Sequence, residues 1–186
     1  MGVQRIKGYA IVSEDGMLAD ETGVMPDALK FDADARFFAN GMDGVDVAVH
    51  GRHSHEGQPH SPFRKRLILT RRIAALEADP GNALARFWNP EGASLDEAVA
   101  ALGAPDAKVG VVGGTEVFGM FLGRYDVFYL TRGPKVHLPN GRAVFPAVPL
   151  KTPEEVLAGS GLVAGPSQWL DPANDITVTA WRRPDA

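Results

Sequence analysis

The chain has 186 residues, a formal net charge of -4 and no cysteine, and 45% of it is apolar. That length suits one domain with a sizeable core, and the composition is globular rather than disordered. Without cysteine, disulfides, thiolate metal sites and cysteine nucleophiles are excluded; the acidic balance argues against nucleic acid; and with no signal-peptide h-region after Met1 and no membrane-length apolar run, a cytoplasmic protein is expected.

The first apolar, β-branched stretch, Ile6 to Ser13, predicts a central strand that ends at the turn Glu14-Asp15-Gly16. A polar loop is expected from Gly16 to about Ala28, then a helix from Asp32 to Met42 with Phe37 and Phe38 able to face a core. Asp46–His50 and Arg66–Thr70 predict two more strands. Ser94 with Glu97 three residues on is a capping-box pattern, opening a helix that stops at Gly103. Lys108–Val112 is a strand leading through Gly113-Gly114 into a helix over Thr115–Leu122. Strands follow at Asp126–Thr131 and Ile176–Trp181. Alternating strands and helices predict an α/β sandwich around a largely parallel sheet, with an antiparallel C-terminal edge. The segment from Pro149 to Pro172 yields no functional reading, and Trp169 within it is expected to pack.

Three strand ends carry groups suited to an anion. At Val111-Val112-Gly113-Gly114-Thr115-Glu116-Val117, a strand meets two glycines and a helix start, where backbone N–H groups and the helix dipole favour phosphate. A plain tight turn would look the same, and neither the dinucleotide fingerprint G-x-G-x-x-G nor a P-loop is present. His50-Gly51-Arg52-His53-Ser54-His55 follows a second strand and offers forked and switchable donors. Its histidines lack the carboxylate spacing of a metal site, so no metal is expected. Leu69-Thr70-Arg71-Arg72 ends a third. In open α/β sheets, ligands bind outside the carboxyl ends of the strands, so the three together point to a nucleotide site.

In order along the chain, these segments resemble dihydrofolate reductase and its sister, the reductase domain of riboflavin biosynthesis. Ile6–Ser13 resembles the family's first strand, with Ala10 in the substrate site. Met25-Pro26 resembles the Met-Pro of the mobile loop. Gly51-Arg52-His53-Ser54 and Leu69-Thr70-Arg71 resemble the segments that hold the phosphates of NADPH. Val112-Gly113-Gly114-Thr115-Glu116-Val117-Phe118 resembles the family's Gly-Gly turn, which carries a cis peptide, with Phe118 where many members have Tyr. Tyr129-Leu130-Thr131 and Phe145-Pro146 resemble a later strand and a Phe-Pro landmark.

The resemblance implies a dihydrofolate reductase-like three-layer fold over residues 1–186 as one domain, NADPH as cofactor, and one catalytic carboxylate early on the first helix. Asp32 and Asp34 are the candidates. Counting from Met25-Pro26 favours Asp32; the shared helix face with Phe38, four residues on, favours Asp34, which is preferred. By analogy Thr131 sits beside it, and Met25, Phe38 and Arg64 contact the substrate. A carboxylate facing an apolar cleft should have a raised pKa. The family's Trp after Met-Pro is replaced by Asp27, and the acid before Phe-Pro by the run Gly141-Arg142-Ala143-Val144. Ser13-Glu14-Asp15-Gly16 resembles the Ser-x-Asp-Gly turn of the riboflavin-pathway reductases. The expected activity is reduction of a dihydropterin, 7,8-dihydrofolate or a relative such as dihydromethanopterin. The alternatives are reduction of 5-amino-6-(5-phosphoribosylamino)uracil, with Arg64 and Lys65 as a second anion site, and an inactive NADPH-binding relative. A monomer or homodimer is expected.

Overall fold

The computed structural model describes residues 6–54 and 60–184, so His55 lies outside the described residues. The elements follow as β1 (Ile6–Ser13), β2 (Met17–Ala19), α1 (Asp32–Asp43), β3 (Val47–Gly51), β4 (Lys65–Leu69), β5 (Leu76–Ala78), β6 (Ala85–Trp88), α2 (Leu95–Ala101), β7 (Val109–Val111), α3 (Thr115–Met120), β8 (Val127–Gly133), β9 (Arg142–Ala143), α4 (Pro153–Gly159), β10 (Val163–Ala164), β11 (Gln168–Asp171) and β12 (Ile176–Arg182).

The apolar run of β1 is what a strand buried on both faces requires. It pairs in parallel with β7 on one side and β8 on the other. Outward from β7 come β3, β4 and β6, all parallel, with β5 closing that edge antiparallel. Outward from β8 comes β12, antiparallel, which carries both β10 and β11. β2 and β9 form a separate two-stranded ribbon.

The two faces of the sheet are packed unequally. Val47, Val49, Leu67, Val109 and Val111 join residues of α2, α3 and α4 in the main core, around the fully buried Trp88, Phe118, Phe121, Phe128 and Phe145. The opposite face carries a small cluster of Tyr9, Met42 and Ala48, with Phe37, Phe38, Val45, Val112 and Tyr129 against it. There α1 comes close enough that a Cβ at Gly41 would lie 2.5 Å from the Tyr9 hydroxyl oxygen. This is the expected three-layer α/β architecture with an antiparallel C-terminal edge.

Several expectations are corrected. The loop drawn from Gly16 to Ala28 begins with β2, whose Met17 and Ala19 are buried, and ends in a 3-10 turn at Asp27–Leu29. β5 and β6 were not foreseen. The segment from Pro149 to Pro172 holds α4, β10 and β11. Its Trp169 is 61% exposed and does not pack into the core. β12 is buried on both faces: Ile176 and Val178 are buried on one and Trp181 joins the main core on the other.

Gly8 on β1 pairs with Val111 on β7 and with Phe128 on β8. A Cβ there would collide with the Phe128 ring and lie 2.9 Å from Tyr125, both fully buried. Gly8→Ala is expected to cost about 3 kcal/mol, because neither ring has room to retreat. A urea midpoint shift of under about 0.3 kcal/mol equivalent would show that the rings do yield.

Candidate active site

The carboxyl ends of β1, β3, β4, β7 and β8 reach one edge of the sheet, and two cavities open there. They share His53. The first, of about 720 Å³, is lined by Arg52, His53, Leu69, Thr70, Arg71, Arg72, Glu116 and Met120, with Phe145 to Ala147 and Val156 behind them. The second, of about 630 Å³, lies between α1 and the sheet. It takes in Ala10, Met25, Asp32, Asp34, Phe38, Ser54, Arg64, Val112, Gly113, Gly114, Phe118 and Thr131. The candidate residues therefore converge. Gly51, Thr115 and Val117 are the exceptions and line neither cavity. Gly51 supports the turn by donating its N–H to the Gly113 carbonyl at 2.8 Å. The Thr115 hydroxyl donates to the Ala143 carbonyl at 2.5 Å, and Val117 is core.

The glycine turn is built as the resemblance implies. The Gly113–Gly114 peptide is cis, and Gly113 has a φ of +121°, which strongly favours glycine. Gly114 is the N-cap of α3. Ser54, whose N–H donates to the Gly51 carbonyl, brings its hydroxyl against both glycines. At the end of β4, the Thr70 hydroxyl accepts from the Arg72 N–H at 3.2 Å. Arg71 lies 3.9 Å from both Glu91 and Glu116, too far for tight pairing. Arg72, the last residue of the same strand-end motif, completes this cationic wall.

Helix α1 starts from Phe31, an extended N-cap without a side-chain bond, and places Asp32 and Asp34 in its first turn, where the helix dipole favours acids. The two then diverge. Asp32 is exposed, while Asp34 is half-buried and turned to β8, where the Thr131 hydroxyl hydrogen-bonds its carboxyl. Burial pushes the Asp34 carboxyl up to about 6, and the Thr131 bond opposes that only in part. Phe38, one turn on, lines the same cavity.

Two tyrosines near this carboxyl escaped the sequence reading. Tyr9 and Tyr129 face each other across the β1–β8 pairing and stack at 5.0 Å, with Phe37 edge-on to both. Both line the second cavity. Burial, and after it the Tyr129 phenol, push Tyr9 up to about 12, so it stays a neutral donor. Lys30, Phe31 and His60 also line this cavity unforeseen. Arg64 reaches it, but its guanidinium donates to the Met42 carbonyl at 2.7 Å and to Asp43 at 3.2 Å, at the end of α1. Lys65 reaches the Gly103 carbonyl and does not line the cavity, so the expected Arg64–Lys65 anion pair does not form. His50 is fully buried beneath the turn, 3.4 Å from Arg66, and is no part of the cavity walls. No group of three metal-ligating side chains occurs among the described residues, nor any helix long and apolar enough to cross a membrane.

The raised carboxyl makes a stability prediction. In the folded state Asp34 holds its proton up to about pH 6, against an ordinary value of 3.8. The folded state thus binds more protons between those values, and its stability falls as pH rises through that window. Two pKa units correspond to about 3 kcal/mol; with one side open to water, about 1–2 kcal/mol is expected. Asp34→Asn should remove that loss and be the more stable protein at about pH 8, with no advantage at about pH 4. Parallel urea midpoints for the two proteins at every pH would contradict the burial of this carboxyl.

No protein-family model matches the chain, and no curated protein matches it. Solved structures do. Dihydrofolate reductase from Enterococcus faecalis, complexed with NADP(H) and RAB-propyl, aligns with a TM-score of 0.66 and 20% identity over 99% of this chain and 99% of that one. A protein provisionally named for riboflavin biosynthesis, from Shewanella sp. PV-4, aligns at 0.64 and 20% identity over 96% of this chain and 98% of that one. A diaminohydroxyphosphoribosylaminopyrimidine deaminase/5-amino-6-(5-phosphoribosylamino)uracil reductase from Thermotoga maritima aligns at 0.60 and 15% identity, over 96% of this chain and 56% of that one. Order of strands, site geometry and these alignments agree: the chain has the dihydrofolate reductase-like fold.

Proposed function

We propose that the protein is an NADPH-dependent reductase of a dihydropterin, most simply of 7,8-dihydrofolate. The observation that carries the reading is Asp34: a carboxyl raised to about 6, hydrogen-bonded by Thr131, in an apolar cavity that adjoins the cationic first cavity. The donor chemistry of the first cavity fits a dinucleotide phosphate. Arg52, His53, Thr70, Arg71 and Arg72 line it; His53 is shared with the second cavity, which the Gly113-Gly114 turn lines. These residues would hold NADPH, which when bound supplies the hydride for C6 of the pterin.

The chain's own work is positioning, proton management and exclusion of water. Asp34, held by Thr131, accepts hydrogen bonds from the amidine edge of the pterin. With a pKa near neutrality it supports protonation at N5. Phe31, Phe38 and Leu29 supply apolar walls for a flat ring, and the loop from Asp20 to Pro26 leads Met25 over the cavity. Its turn is tied at Asp20, whose carboxylate accepts the Thr22 N–H at 2.9 Å and the Val24 N–H at 3.0 Å.

NADPH oxidation followed with dihydrofolate tests the reading. Asp34→Asn is expected to lower turnover by about a hundredfold or more, and Asp32→Asn by no more than about twofold. The wild-type rate should fall as pH rises through about 6, as Asp34 loses its proton, and Asp34→Asn should flatten that profile. Full activity in Asp34→Asn would remove Asp34 from the chemistry.

One observation favours a second reading, reduction of the ribosylamino-pyrimidine phosphate of riboflavin synthesis. Ser13, Asp15 and Gly16 form a closed hydrogen-bonded turn, with the Ser13 hydroxyl donating to Asp15 at 2.5 Å and Asp15 accepting the Leu138 N–H at 3.1 Å. That turn resembles the one of the riboflavin-pathway reductases. The pairing of Arg64 with α1 weakens this reading, because the substrate's phosphate needs a free cation. Complementation of a riboflavin auxotroph, with no turnover of dihydrofolate, would establish it over the first.

A further inference from the structure

Helix α4 lies in the segment from Pro149 to Pro172, and its Glu154 reaches Arg132 on β8. The Arg132 guanidinium, on β8 next to Thr131, donates from Nε to Glu154 Oε1 at 2.8 Å and from Nη2 to Oε2 at 2.6 Å. Its remaining arm, Nη1, donates to the Ser13 carbonyl at 3.0 Å and to the Glu14 carbonyl at 3.1 Å. One planar fork therefore holds a carboxylate on one side and two successive carbonyls on the other. Those carbonyls, brought to one point, would repel without a cation between them.

The turn they belong to is itself closed. The Ser13 hydroxyl accepts the Met17 N–H at 3.0 Å, and the Gly16 carbonyl accepts the Val144 N–H at 3.0 Å. Gly16 has a φ of +84°, and a Cβ there would lie 2.9 Å from Val148 and 3.1 Å from Pro153, the first residue of α4. The next residues form β2, and its Leu18 and Ala19 line the cavity that holds Asp34. A shift at Ser13–Glu14 thus passes within a few residues to the cavity wall. Glu154 is well placed to prevent that shift. Thr152 caps α4 in a reciprocal capping box with Glu155, so the first turn carrying Glu154 is fixed.

We propose that Glu154, acting through Arg132, is a positioning residue that sets the Leu18–Ala19 wall of the substrate cavity. The consequence for substrate rests on the reductase reading above; the mechanical part does not. Its role is distinct from simple stabilisation. The Glu154 side chain is 38% exposed and that of Arg132 24%, and pairs so open to water add little to folding stability. Their geometric effect can still be large, because the carbonyl grip depends on the guanidinium plane being held. Arg132→Lys keeps the charge and loses the fork, so it should behave like loss of the carboxylate.

The experiment uses the full chain with Glu154→Ala, Glu154→Gln, Arg132→Lys, Arg132→Met and the double variant Glu154→Ala/Arg132→Met. Amide hydrogen exchange is read over residues 14–19, with NADPH and dihydrofolate as probes for kinetics. Expected are a Tm within about 2 °C of wild type and exchange at Met17–Ala19 faster by about tenfold. The KM for dihydrofolate should rise about fivefold with kcat within about twofold, the mark of lost ground-state binding. The double variant should match the single Arg132→Met, because the two side chains act as one unit. Glu154→Gln, which keeps one acceptor for the fork, should recover part of the protection. Unchanged exchange at Met17–Ala19 overturns the proposal, and so does a fall in Tm of about 8 °C or more, which would make the pair a structural strut. Because exchange needs no substrate, a wild-type protein that fails to reduce dihydrofolate counts against the reductase reading alone.

Discussion

β1 has a parallel partner on each side, and at Gly8 the aromatic side chains of the β8 side leave no room for a side chain. The Phe128 and Tyr125 rings occupy the space where a side chain would stand. This close approach fixes the register of β1 against β8, Gly8 with Phe128, while on its other edge Gly8 pairs with Val111 of β7. Register carries the site with it. Two residues beyond Gly8, Ala10 enters the cavity; one further, Ile11 stands beside Thr131, and Thr131 meets Asp34. On the β7 side, the strand that pairs with Gly8 ends one residue before Val112 and the glycine turn. A slip of one residue would turn each of these side chains to the opposite face. The cavity around Asp34 therefore hangs on a glycine that does not line it.

Much of this was legible in the sequence where a single strand or helix carried its own signal. β1, β3, β4, β7 and β8 are apolar runs stopped by glycine or a polar turn, and a strand buried on both faces must read that way. Asp34 was preferred over Asp32 on its spacing to Phe38 alone, and the structure turns Asp34 inward and leaves Asp32 exposed. The edge elements were illegible for a physical reason. β5, β10 and β11 have two to four residues, are largely exposed and have no pattern of their own; they exist because a longer neighbour offers hydrogen bonds. α4 is different. Thr152 and Glu155 form the same capping box as Ser94 and Glu97, so its start is written in the sequence even though glycines and prolines surround it. The Tyr9–Tyr129 stack could not be read at all, since it depends on strand register between residues 120 apart in the chain.

The unequal packing of the two sheet faces separates a dense core from the cavity that holds Asp34. On the main face, α2, α3 and α4 cover a continuous core of fully buried aromatic and β-branched side chains, and close packing of that kind resists deformation. On the other face α1 stands over a small aromatic cluster and leaves a cavity beside it. The costly groups gather on this thin side. Asp34 loses hydration that Thr131 replaces only in part, and the stability this forfeits near neutral pH is the same free energy that keeps a proton available there. A deeper burial would raise the carboxyl further and leave it protonated at all working pH; a more open one would return it to the ordinary carboxylate range. The cavity's depth thus sets how far the carboxyl is raised, and a constant depth requires walls which do not drift. On the α1 side they are short or partly exposed, so their rigidity has to come from the dense side, through the turn at Ser13–Met17 and the side chains that grip it.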